Sequence, residues 1–166
     1  MSPSASWPRA TAAFLDERLS RLEVACREGD VPFHDDAGVD DHLQRVLLAR
    51  DFAYASFLRD PQLLGPELLQ LMSDPRHADA RAGVLAEARD DAQLRRALRR
   101  FREREALRLI WRDVNGDDAV ETTLAGASVL AESCLEAALR GAEREVAARH
   151  GVIRDAAGHV QRLVVL

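Results

Sequence analysis

DDAVETTLAGASVLAESCLEAALRGAEREVAARH, residues 117–150, is the longest uninterrupted pattern in this chain. Its apolar and small residues recur at intervals of three and four, which predicts one long α-helix over 118–149. The repeating stripe consists of Val120, Leu124, Ala127, Ala131, Cys134, Leu135, Ala138, Ala142 and Val146. Because this stripe is rich in alanine, we expect a neighbouring helix to approach closely along it. His150-Gly151 is placed to end the helix.

Helical spacing also runs through the sequence before this stretch, where prolines, glycines and polar runs interrupt it. It predicts further helices over about 7–28, 40–59, 61–73, 79–89 and 91–114. Asp60-Pro61 and Ser73-Asp74-Pro75 separate three of them, and Asn115-Gly116 ends the last. The interpretation is a mostly α protein: a bundle or array of about six helices that forms a helical domain over 1–150.

The pattern changes after Gly151. Val152-Ile153-Arg154, Asp155-Ala156-Ala157-Gly158 and residues 159–166 read as strand, turn and strand. Leu163–Leu166 is wholly apolar, which is typical of a strand inside a covered sheet, and a lone two-stranded ribbon is marginal. We therefore predict a C-terminal β-hairpin over 151–166 that forms the first strands of a truncated sheet domain. The alternative is a short edge hairpin packed on the helices.

Composition excludes several functions. The 166 residues carry a formal charge of −5, which disfavours nucleic-acid binding, and all 23 basic residues are arginine. A chain without lysine has no P-loop lysine and no Schiff-base lysine. Cys26 and Cys134 are far apart, and the five histidines lack ligand spacing, so we expect neither a disulfide nor a zinc site. No signal peptide or membrane span is indicated, which predicts a cytoplasmic protein.

Positive charge is concentrated in one predicted helix. Leu98–Asp113 reads LRRFREREALRLIWRD, and eight arginines lie between Arg95 and Arg112. Its second half is apolar on most sides, so Arg104, Arg108 and Arg112 would need acidic or anionic partners on burial. One interpretation is a solvated face with local ion pairs, among them Arg99–Glu103, Arg102–Glu105 and Glu105–Arg108. The other is an anion site whose guanidinium groups bind phosphate. The residues alone leave both open.

The pattern L-R-R-F-R-x-R-E-x-L-R-L-I-W-R-D resembles the helix before the nucleotidyltransferase domain of the glutamine synthetase adenylyltransferase/adenylyl-removing enzymes. The long helix, His150-Gly151, Asp155–Gly158 and Gln161–Leu166 are similar in order and spacing to the same lead-in of that family. The resemblance covers residues 94–166 well, whereas residues 1–90 match only in being helical and in placement. The enzymes of this family have two similar halves. The resemblance is to the N-terminal half, which is associated with adenylyl removal.

In that family the final strand leads into a loop of the form G-x-G-K-L-G-G and then a D-x-D pair that holds metal ions. Neither motif occurs here. The resemblance therefore implies ATP and magnesium for the full-length enzymes, with AMP removal by phosphorolysis, but no cofactor in this chain and no activity for the chain alone. It also implies glutamine synthetase, a PII-type signal protein and the remainder of the enzyme as partners.

The resemblance implies a supporting role for one set of charged residues. Arg99, Arg100, Arg102, Arg104, Arg108 and Asp113 match charged positions of the family's helix and would orient the site or clamp phosphate without binding metal. For each, the alternative is an ion pair that holds the helix to the absent domain. The alternative function is a stand-alone helical interaction module that binds a protein partner or an anion through the arginine-rich helix.

Overall fold

A computed structural model describes residues 7–33 and 37–162 of the chain. The α-helices are α1 (Arg9–Glu28), α2 (Ala37–Ala49), α3 (Asp51–Arg59), α4 (Pro66–Ser73), α5 (Asp91–Asn115) and α6 (Val120–His150). Two 3₁₀ segments, Pro61–Leu64 and Ala78–Glu87, flank α4 along the chain. The prediction of a mostly α protein is confirmed.

The helix predicted over 40–59 is two helices, because the chain is extended at Arg50 (φ −142°, ψ 108°). Arg18 explains how the break is stabilised: its guanidinium donates hydrogen bonds to the Leu47 carbonyl and to the Asp51 carboxylate. In a continuous helix the Leu47 carbonyl would accept from the Asp51 N–H instead. The partner lies about thirty residues away, so local spacing could not indicate it.

Two further predicted helices also differ in detail. The one over 61–73 is a 3₁₀ turn and then α4, separated by Gly65, with Pro66 at the first helical position where its missing N–H costs nothing. The one over 79–89 is the 3₁₀ segment Ala78–Glu87.

The chain forms two compact units. The first takes residues up to Pro75 together with Ala106–Ala125. Its core packs the apolar faces of α1–α4 around Leu107 and Trp111 of α5. The core comprises Leu15, Leu22, Cys26, Val31, Leu43, Val46, Leu47, Ala53, Phe57, Leu63, Leu64, Met72, Leu107 and Trp111.

The second unit takes Arg76–Glu105 and the chain from Gly126 onward. Its buried residues include Leu85, Leu94, Phe101, Leu130 and Ala137. Small residues on α6 permit close packing against the first half of α5. A Cβ atom added at Gly141 would collide with the Leu94 Cδ2 atom.

The buried face of α6 is not the predicted one. Leu124 and Leu135 of the predicted stripe are 64% and 55% exposed, whereas α6 buries Gly126, Leu130, Ser133 and Ala137. The prediction was wrong because spacing alone does not select a face: Gly126, Leu130, Ser133 and Ala137 also recur at intervals of three and four. Glycine, serine and alanine bury less apolar surface but let two helices approach closely.

The end of α5 is confirmed where Asn115-Gly116 predicted it. Gly116 has φ 75°, a left-handed conformation that favours glycine. The Gly116 N–H donates to the Asp113 carbonyl at 3.2 Å, and the Asp117 N–H donates to the Arg112 carbonyl at 2.8 Å. These bonds form the Schellman motif that satisfies the last carbonyls of a helix.

The predicted C-terminal β-hairpin is corrected by the structure. Within the described part of the chain there is no strand, and residues 151–162 hold a single antiparallel bridge between Arg154 and Val160. The Asp155 carboxylate organises the turn by accepting the N–H groups of Ala157 and His159, each at 2.9 Å. One bridge around a tight turn is too short to extend as two strands. The apolar run 163–166 lies outside the described residues, and residues 7–33 and 37–162 contain no strand of the predicted sheet domain.

Candidate functional site on helix α5

The first half of α5 presents arginines to solvent. Arg99, Arg100, Arg102 and Arg104 are all exposed. Leu94 and Phe101 form the buried side of this half, so the arginines occupy the remaining circumference. Nearby, Arg95 pairs with Asp91 at 2.8 Å, one helical turn earlier, and this contact raises the pKa of the Arg95 guanidinium. The exposed guanidinium groups can therefore contact an anion in the surrounding solvent.

The second half of α5 buries its arginines. Arg108 is 1% exposed and donates a hydrogen bond from Nη1 to the Asp74 carbonyl at 3.0 Å. Asp74 is the residue that caps the end of α4. A buried guanidinium is costly unless its donors are used, and the carbonyls at a helix end lack partners within their own helix. Arg108 therefore stabilises the end of α4.

Arg112 also donates hydrogen bonds to the end of α4, and in addition it pairs with a carboxylate. Its Nε and Nη2 atoms donate to Asp118 Oδ2 and Oδ1, both at 2.8 Å, in a bidentate pair. Its Nη1 donates to the carbonyls of Met72 and Ser73, both at 3.3 Å. Hydrogen bonding to the Asp118 carboxylate raises the pKa of the Arg112 guanidinium above its ordinary value. The expectation that Arg112 needs an acidic partner is confirmed, and the partner is Asp118. For Arg104 the expected burial is wrong, because its side chain is exposed.

Glu105 is the buried acidic group of α5. It is 2% exposed and accepts hydrogen bonds from Arg81 Nε at 2.6 Å and Nη2 at 2.8 Å. Sequence spacing offered Arg102 and Arg108 as its partners, whereas Arg81 lies 24 residues away on the 3₁₀ segment. This bidentate pair fixes α5 within the second unit.

Asp113 lies at the rim of the buried half. Its carboxylate is 3.9 Å from Arg50 Nη2, and its side chain is 35% exposed. On the neighbouring turn, the Trp111 ring meets His42 edge-on with 6.1 Å between ring centroids. Asp113 therefore contacts the break between α2 and α3, where Arg50 has extended backbone.

The six residues predicted to support phosphate thus divide by environment. Four are exposed on the first half of α5, while Arg108 and Asp113 contact protein groups in the first unit. The geometry does not test phosphate binding, so that role stays a prediction. Sequence reasoning missed Arg81 and Asp118. Asp118 was interpreted only as the start of α6, and no pattern linked Arg81 to α5.

The described residues do not fit a magnesium site. Among residues 7–33 and 37–162 there is no cluster of three or more histidine, cysteine, aspartate or glutamate side chains suited to a metal ion. Burial raises the pKa of the Cys26 and Cys134 thiols, although Arg102 acts against this at Cys134. Both thiols are therefore mainly protonated and poor ligands near neutral pH.

A groove runs along the last turns of α6. Its volume is about 610 Å³, and Val146, Val152, Ile153 and Val160 are among the residues that line it. Arg144 is also among these residues. The groove is therefore largely apolar with charged groups among its walls.

These observations define a helical segment that contains one long arginine-bearing helix, α5. Comparison with known proteins identifies its class. The family described as "Glutamate-ammonia ligase adenylyltransferase" matches residues 41–166. This match covers most of the chain, so the chain belongs to that family.

Curated relatives extend the likeness beyond residues 94–166. A "Bifunctional glutamine synthetase adenylyltransferase/adenylyl-removing enzyme" of Xanthomonas campestris pv. campestris (strain B100) is 40% identical over 170 residues, covering 98% of this chain. Enzymes with the same name from Xanthomonas axonopodis pv. citri (strain 306) and Pseudomonas aeruginosa (strain PAO1) are 43% and 33% identical, over 98% and 95% of this chain. The chain spans 16% of the length of each of these relatives.

Two further findings complete the comparison. No solved structure matches the chain. Along the described residues, no helix combines the length and apolar character that crossing a membrane requires.

Proposed function

We propose that this chain is the N-terminal helical segment of an enzyme that adenylylates and deadenylylates glutamine synthetase, in the half that removes AMP. The family match over residues 41–166 is the observation that carries the proposal. The name of the Xanthomonas campestris relative includes both activities, adenylyl transfer and adenylyl removal. The whole enzyme would use ATP and magnesium, respond to a PII-type signal protein and work in the cytoplasm. AMP would leave by phosphorolysis.

The segment's task in this proposal is to hold α5 rigidly. Arg112 with Asp118, and Glu105 with Arg81, fix the helix through bidentate contacts. Side chains on a fixed helix keep their positions without an entropic cost at each turnover. Arg99 and Arg102 would then support the phosphates of the nucleotide. Guanidinium groups suit this role because they bind phosphate oxygens in pairs.

The proposal places the chemistry outside this chain. The chain has no lysine for a phosphate-binding loop, and the part that the structure describes offers no metal-ligand cluster. The isolated chain is therefore expected to add or remove no adenylyl group. Arg108 and Asp113 act as positioning residues, because both contact protein groups.

A chimera tests the proposal. The matching segment of the Xanthomonas campestris enzyme is replaced by this chain, and both transfer and removal of the adenylyl group on glutamine synthetase are measured. We expect a folded chimera with both activities. Arg99→Gln/Arg102→Gln in the chimera should lower the rate of removal, whereas the matched control Arg9→Gln/Arg21→Gln on α1 should not. A chimera that folds and binds glutamine synthetase without either activity contradicts the proposal.

A further inference from the structure

The exposed arginines of α5 form two stripes with different surroundings. Residues spaced by three and four share one face of a helix, so Arg95, Arg99 and Arg102 form one stripe. This stripe has acidic neighbours: Asp91 bonds Arg95, and Glu145 also raises the pKa of the Arg95 guanidinium. Arg96, Arg100 and Arg104 form the second stripe, at successive intervals of four residues, and all three are exposed.

The positive side chains of the second stripe repel one another. Like charges at i and i+4 destabilise a helix, and this stripe contains two such pairs, Arg96–Arg100 and Arg100–Arg104. The first half of α5, residues 91–104, holds six arginines and two acidic residues in a chain whose overall charge is −5. The stripe is therefore a local positive surface on an acidic protein. An anionic partner would remove the repulsion.

The length of the stripe selects the partner's chemistry. Eight residues of helix span about 12 Å, so the stripe is much longer than a single phosphate group. A nucleic acid or an anionic membrane presents dense negative charge, which the acidic remainder of this chain would repel. A helix with carboxylates four residues apart carries the same spacing as the stripe and much less charge.

We propose that Arg96, Arg100 and Arg104 form a docking surface for a protein helix that carries acidic residues at i, i+4 and i+8. Each guanidinium pairs with one carboxylate, and opposite charges across the contact set the register and orientation. For Arg100 and Arg104 this assignment replaces phosphate support with carboxylate contact. The proposal does not depend on the family's enzymatic activity, which the chimera tests separately.

Peptide binding to the whole chain tests the proposal. The probe is a labelled helical peptide with glutamates at i, i+4 and i+8, and its control is the same peptide with glutamines. We expect the glutamate peptide to bind, more weakly at high salt, and the glutamine peptide not to bind. Arg96→Gln/Arg100→Gln/Arg104→Gln should weaken binding about tenfold, because three exposed ion pairs are lost. Arg9→Gln/Arg21→Gln/Arg27→Gln on α1 makes the same change in charge and should leave affinity within about twofold.

A second measurement separates docking from an internal structural role. The thermal midpoint of the stripe variant should equal or exceed that of the unaltered chain, since the variant removes two repulsive pairs. A clearly lower midpoint would overturn the proposal, because it would mean that these arginines serve contacts within the chain. Equal weakening of peptide binding by both triple variants would also overturn it. A third contrary result would be that the unaltered chain binds ATP but not the glutamate peptide, and that the stripe variant loses ATP binding.

Discussion

The two halves of α5 place the same residue type in opposite environments. In the first half, Arg99, Arg100, Arg102 and Arg104 lie in solvent, whereas in the second half Arg108 and Arg112 are buried. The buried arginines are bonded to groups far away in sequence: the Asp74 carbonyl lies 34 residues from Arg108. The number of arginines alone therefore says little, because the available partners decide whether an arginine is structural.

The buried half also shows why these positions use arginine. A guanidinium has five donors in a planar fork, so Arg112 can hold one carboxylate and two carbonyls at once. Lysine has three donors around one point and could not span the same set. The carbonyls belong to the end of α4, which ends without a glycine cap. Arg108 and Arg112 satisfy that end of the helix.

Removing the acidic partner of Arg112 should have the largest effect on stability. Asp118→Ala leaves a nearly buried guanidinium without its carboxylate, and we expect a loss of about 3 kcal/mol in the free energy of unfolding. Urea denaturation measures it. Asp117→Ala removes the same charge from an exposed neighbour and should change stability by less than about 0.5 kcal/mol. Equal losses for the two variants would show that Arg112 does not depend on Asp118.

The Arg81–Glu105 pair should come next. Arg81→Met keeps most of the side chain's volume but leaves the buried Glu105 carboxylate without its bidentate donor, and we expect a loss of about 2 kcal/mol. Arg89→Met alters an exposed arginine nearby in sequence and is the matched control, expected within about 0.5 kcal/mol. If Arg81→Met behaves like this control, the pair contributes nothing net to the second unit.

Exchanging one arginine in each half tests the comparison directly. Arg104→Gln should change the free energy of unfolding by no more than about 0.5 kcal/mol, because exposed charges contribute little. Arg108→Gln, four residues later on the same helix, should cost about 2 kcal/mol, because the Asp74 carbonyl loses a charged donor. Denaturation of both variants under one set of conditions gives the difference. Equal values would remove the distinction between the halves.

Helix positions were largely predictable from the sequence, since they depend on local spacing and breakers. Asn115-Gly116 gave the end of α5 because the left-handed position there favours glycine. The break at Arg50 was not predictable, because Arg18 of α1 stabilises it from a distant part of the chain. The face of α6 was predicted wrongly because the buried residues and the predicted stripe share the same helical spacing, so spacing could not choose between them.

The candidate site was predictable as a helix but not as a set of contacts. The segment Leu98–Asp113 indicated both the family and a buried second half, and both are confirmed. It could not indicate that Arg112 binds Asp118 or that Glu105 binds Arg81, because pairs between separate elements leave no periodic signal. Ion pairing at i and i+3 suggested Arg102 and Arg108 for Glu105, since only local partners are visible in a sequence.

The smallest expected effect is a change in the pKa of Asp155. Its carboxylate is in a third environment, because it is exposed and accepts hydrogen bonds from the backbone of its own turn. Hydrogen bonding from the His159 backbone N–H is the main cause that lowers the pKa of Asp155 below its ordinary value of 3.8. Because the folded pKa is lowered, the stabilising contribution of this carboxylate is fully present above the ordinary pKa and is lost as the pH falls through the folded pKa. NMR titration of the folded chain should find the carboxyl titrating below pH 3.8. His159→Ala keeps the backbone donor but removes the ring contact at 3.2 Å, so the pKa should rise only part of the way, whereas His150→Ala should not move it. A carboxyl that titrates at its ordinary value in the unaltered chain would show that the turn does not hold Asp155.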